Sequence, residues 1–71
     1  MEDTIKTLRF SSRGNLAVFM HHLVKENYYR VGVLTYENSH SETSTISSKF
    51  TKLDVATACY ENFKRALGTK E

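Results

Sequence analysis

The chain has 71 residues, with ten Lys and Arg against eight Asp and Glu, a formal charge of +2 and a single cysteine. That length makes one domain, and small domains bury only about 60% of their unfolded surface, so stability is marginal. One cysteine excludes an intrachain disulfide, no Cys/His cluster offers structural zinc, and +2 is far from the basic stripe of a dedicated nucleic-acid binder.

No apolar run approaches the ~18 residues of a membrane span. The start, Met1-Glu2-Asp3-Thr4, is too acidic and polar for a signal peptide. With a lone thiol, these features predict a cytoplasmic protein in a reducing compartment. Small scaffolds without disulfides or metals often gain stability from a second subunit, so a homodimer is expected. Residues 1–71 are read as one domain, with 1–3 and 69–71 as frayed termini.

Residues Thr4 to Phe10 predict a short strand, favoured by the β-branched Thr4, Ile5 and Thr7. In "SSRGN", Ser11 or Ser12 is suited to cap a helix by accepting a bond from an orphan backbone N–H. Leu16, Phe19, Met20, Leu23 and Val24 then follow at i, i+3, i+4, i+7 and i+8. That spacing makes one helical stripe and predicts a helix over about 12–26.

The stretch from Tyr28 to Glu37, "YYRVGVLTYE", predicts a strand with large groups on both parities. Tyr29, Val31 and Val33 point one way, and Tyr28, Arg30, Gly32, Leu34 and Tyr36 point the other. "ENSHSETS" reads as a turn region, because its small polar side chains bond their own backbone. "TSTISSKF" predicts a third strand, polar on the parity of Thr43, Thr45, Ser47 and Lys49.

"TKLD" resembles a capping box for a last helix, with Thr51 as cap and Asp54 in place of the usual Glu or Gln. Its apolar stripe is Leu53, Ala56, Cys59, Tyr60, Phe63 and Leu67. Lys64 and Arg65 suit the negative end of the helix dipole, and Gly68 suits a left-handed C-cap.

The predicted order is β-α-β-β-α, an α+β two-layer fold with a three-stranded sheet and both helices on one face. The layout resembles a truncated ferredoxin-like topology, which carries no functional implication. In it the Tyr28–Glu37 strand is an edge; with helices on opposite faces it would be central. The expected core is Phe19, Leu23, Val31, Val33, Ile46, Tyr60 and Phe63.

Candidate chemistry is sparse. His21 and His22 are neighbours and diverge on a helix, so they do not make a metal pair. Cys59 falls within an apolar stripe, where a thiol acts as a small hydrophobe. Ser39, His40 and Ser41 share a turn but lack a third group to hold a base. No HExxH, GxSxG, CxxC or P-loop pattern occurs. No enzymatic activity, cofactor, metal or small-molecule substrate is therefore expected.

Two surfaces remain. Tyr28, Arg30, Leu34 and Tyr36 form an outward partner-binding set, because exposed aromatic and apolar groups mark interaction surfaces. Arg9, Ser12 and Arg13 form a candidate anion site, if a helix starts there. The size and lack of catalytic motif resemble, in style, small accessory, antitoxin or inhibitor proteins encoded by mobile elements. The expectation is a non-enzymatic protein-binding regulator acting as a homodimer. The alternative is RNA or single-stranded DNA binding through the exposed sheet face and the helix start near Arg13, since sheet aromatics can stack unpaired bases.

Overall fold

A computed structural model describes residues 4–36 and 42–71. Four strands form one antiparallel sheet in sequence order: β1 (Ile5–Arg13), β2 (Leu16–Leu23), β3 (Tyr28–Tyr36) and β4 (Glu42–Phe50). One helix, α1 (Leu53–Leu67), follows and packs on a single sheet face. The class is α+β as expected, but the count of three strands and two helices is corrected to four and one.

The correction lies in residues 12–26. Arg13 pairs with Leu16, so Gly14 and Asn15 are a two-residue hairpin loop, with Gly14 at φ 59°. Gly supplies that left-handed backbone without a Cβ clash. Asn27, also at φ 59°, ends the next turn, where its N–H donates to the Leu23 carbonyl at 2.7 Å. Between these turns lies an unbroken apolar run, Leu16 to Met20, buried on both parities. Val18 and Met20 face α1; Ala17 and Phe19 face away.

The Tyr28–Tyr36 strand is central, hydrogen-bonded to β2 and β4, so the expected edge is corrected as well. Its two parities do divide as predicted: Tyr29, Val31 and Val33 pack toward α1. The core under α1 is Val18, Met20, Val31, Ala56 and Tyr60, with Tyr29, Val33, Phe50, Cys59, Phe63 and Leu67 around it. Three expected core residues fall elsewhere. Phe19 is buried on the opposite face, Leu23 shares that face with Ile5 and Tyr28, and Ile46 is 70% exposed.

Lys52 takes the N-cap position with no side-chain bond, so the capping box led by Thr51 does not form. Asp54 instead accepts from the Val55 N–H at 2.9 Å. The other end follows expectation: Gly68 is left-handed at φ 68° and its N–H donates to the Lys64 carbonyl.

Residues 69–71, expected to fray, are tied to β1. Ser12 and Lys70 exchange two backbone hydrogen bonds of 3.0 Å. Beneath them the buried Ser11 and Thr69 hydroxyls bond at 2.7 Å. A one-residue slip between Thr7 and Arg9 turns Arg9 toward the helix. There its guanidinium bridges Glu61 at 2.8 Å and Glu71 at 2.5 Å and lies 4.7 Å from the Tyr60 ring centre. These contacts cover β1 only at its Ser12 end, and β1 and β4 are the two edges of the sheet.

Candidate functional site: the open sheet face

The strand register places the residues of the open face among the described side chains. Cross-strand partners share a face, which gives four rows running across the sheet. One holds Phe10, Phe19, Gly32 and Ser47, and the next holds Thr7, His21, Arg30 and Lys49. Ser12, Ala17 and Leu34 form a row on one side, and Ile5, Leu23 and Tyr28 form one on the other.

Phe19 is the centre of this face. It has no helix above it, yet it is only 4% exposed. Its ring lies over Gly32, where the missing side chain leaves room for it. His21 packs against the ring at 4.4 Å between centroids. Burial, and secondarily the nearby Arg30 charge, hold the His21 imidazole below its ordinary pKa. The shift favours the neutral imidazole, whose plane is tilted 33° from the ring of its apolar neighbour.

Around Phe19 the face is apolar toward β1 and carries two cations toward β4. Phe10 is 46% exposed beside it, and Ile5 and Leu8 are exposed further along β1. On the far side Arg30 donates to the Ser47 hydroxyl at 3.0 Å and lies 5.9 Å from the Tyr28 ring centre. The Lys49 ammonium stands 4.4 Å from the same ring. Both are within cation–π range. In the four rows the only charged residues are Arg30 and Lys49.

The expected partner-binding residues divide. Tyr28, Arg30 and Leu34 share this face, each half-buried. Tyr36 lies past a register shift at the end of β3, its backbone held by Asn15 through bonds of 2.9 and 3.0 Å. Phe10, Phe19 and His21 were missed because the helix reading placed them on no common surface. The signal was the Gly14-Asn15 pair, a hairpin dipeptide between two runs that each fit a strand.

Arg9, Ser12 and Arg13 do not converge. No helix begins there, so the oriented N–H groups of the expected anion site are absent. Arg9 is held by two carboxylates, Arg13 reaches the Leu67 carbonyl at 3.5 Å, and Ser12 faces the other way. His21 and His22 lie on opposite faces of β2, with His22 stacked on Tyr29 at 4.6 Å. Cys59 is half-buried and burial pushes its thiol pKa up, away from thiolate chemistry. Ser39, His40 and Ser41 lie outside the described residues. Among the described residues no three His, Cys, Asp or Glu come together, and no helix is long and apolar enough to cross a membrane.

Comparison with protein-family models, curated proteins and solved structures finds no match to this chain.

Proposed function

We propose that the protein is a non-enzymatic binding module that recognises another protein through the open face of its sheet. In this reading it is a regulator of the accessory or inhibitor kind, acting in a reducing compartment such as the cytoplasm. The observation that carries the reading is the Phe10–Phe19–Gly32 row with Arg30 and Lys49 at its side. A packed aromatic centre with an arginine at its rim is the chemistry of interface hot spots. With both charges positive, the fitting partner surface is an apolar ridge flanked by carboxylates.

RNA or single-stranded DNA is the second reading, favoured by Tyr28 having both Arg30 and Lys49 near its ring. Two features weigh against it. The Phe19 ring is already covered by His21, and the Tyr28 ring already has both cations against it. A base would have to displace them to stack. Two cations also release few counterions, against the six or more phosphate contacts typical of tight binders.

The test is photocrosslinking from position 10 in the native host. A benzoylphenylalanine in place of Phe10 should give discrete adducts that survive nuclease, and Arg30→Glu should abolish them in a protein that a circular-dichroism melt still shows to be folded. Adducts lost on nuclease treatment would transfer the face to nucleic acid. No adduct at position 10 would remove this face as the binding site.

A further inference from the structure

The other side of the molecule carries an apolar surface of its own. Four strands spaced ~4.8 Å apart make a sheet ~19 Å wide, and a helix with its side chains is only ~10 Å across. Helix α1 therefore covers about half of its face. The β1 side is filled by residues 69–71 and the Arg9 ion pairs. The β4 side is not. A groove of about 560 Å³ lies there, lined by Phe50, Val55, Ala58, Cys59, Phe63 and Ala66, with the polar Asn62 among them. Ile46, which pairs with Val33 and so lies on the helix side of β4, is 70% exposed.

Helix α1 itself is apolar over too wide an arc for one sheet. At ~100° per residue, the arc from Leu53 round to Ala58 spans roughly 220°, interrupted by Asn62 alone; a surface helix needs ~100°. Ala56, Tyr60 and Phe63 use one part of it against the sheet. Val55, 47% exposed, and Ala58 and Ala66, both exposed, use none of it there.

We infer that a second copy of this chain fills the groove, with the two α1 helices packed antiparallel about a two-fold axis. The charge pattern selects this occupant. Asp54 is in the first turn of α1 and Arg65 in the last, both exposed beside the apolar flank. Neither has an ion-pair partner among the described residues. An antiparallel partner sets Val55 opposite Ala66 and brings Asp54 to the partner's Arg65, twice by symmetry. The small Ala58, Cys59 and Ala66 allow the close helix approach this needs. The open sheet faces of both copies stay free, so the dimer is independent of the reading proposed above.

The experiment is sedimentation equilibrium over a concentration series at low salt, with Asp54→Arg, Arg65→Asp and an equimolar mixture of the two. The wild type should dimerise. Each variant alone turns two attractions into two repulsions and should weaken its dimer about tenfold. The mixture should restore dimers, and native mass spectrometry should find them to be heterodimers. A circular-dichroism melt checks that each variant folds. A monomeric wild type at high micromolar concentration overturns the inference. So does a mixture that associates no better than either variant, or a dimer that Phe10→Lys abolishes and both helix variants leave intact.

Discussion

Replacing Gly32 with alanine tests the packing that makes the open face a surface. A Cβ at this position would lie 2.5 Å from the Ile46 carbonyl oxygen and 2.6 and 2.8 Å from two carbons of the Phe19 ring. Ordinary contacts are at about 3.5 Å or more, so roughly 1 Å must be found. The carbonyl belongs to the backbone of β4, which is paired to β3 along its length. The ring is 4% exposed and wedged beside His21, so it can yield only by leaving its site. Overpacking of this kind costs about 1–3 kcal/mol. For a domain of this size that lowers the melting temperature by roughly 5–20 °C. Circular-dichroism melts of the wild type, Gly32→Ala, Phe19→Leu and the double variant measure it. The double variant should be more stable than the sum of the single losses, because the smaller side chain removes the ring clash. A Gly32→Ala protein melting within about 2 °C of wild type would refute the Phe19–Gly32 contact.

Other expectations concern the C-terminal clasp and the core. The Glu71 carboxyl is held down to about 2, from an ordinary 4.5, by hydrogen bonds from Arg9 and then Tyr60. Its stabilising contribution is full above pH 4.5 and lost as pH falls toward 2. Glu71→Gln should therefore flatten the acid limb of stability against pH, and an unchanged limb would dissociate Glu71 from the clasp. Ser11→Ala should cost about 1–3 kcal/mol in urea melts, because it strands the buried Thr69 hydroxyl. Phe63→Ala should cost about 2–3 kcal/mol, below the 3–5 of a fully buried phenylalanine. Melting near the wild-type temperature would place Phe63 outside the core.

The helix α1, its C-cap at Gly68 and the division of the β3 side chains were legible because each rests on a local rule. A 3.6-residue stripe, a glycine after Leu67 and alternation along Tyr28–Tyr36 need no knowledge of distant partners. The segment Leu16–Val24 was misread for an equally physical reason. Its residues are apolar at every position from Leu16 to Met20, so a helical subset can always be picked out of them. A strand buried on both faces and a buried helix give the same continuous run. The two-face burial arises because Gly32 admits the Phe19 ring from the side that α1 does not cover, a tertiary cause that periodicity does not contain. The same error hid the open face, since Phe10, Phe19 and His21 meet only when β1 and β2 form a hairpin. The clasp of residues 69–71 on β1 was hidden by sequence distance: Ser11 and Thr69 are 58 residues apart.

The claim on which the rest depends is that residues 16–23 form a strand rather than a helix. Backbone NMR assignment of residues 12–26 tests it most directly, through the Cα and Cβ secondary shifts and the interstrand contacts. Strand-type shifts over Leu16–Leu23, a break at Gly14-Asn15, and contacts from Ser11 to Val18 and from Met20 to Val31 are expected. Continuous helical shifts over 12–26, with sequential amide–amide contacts and no link between Ser11 and Val18, would contradict it.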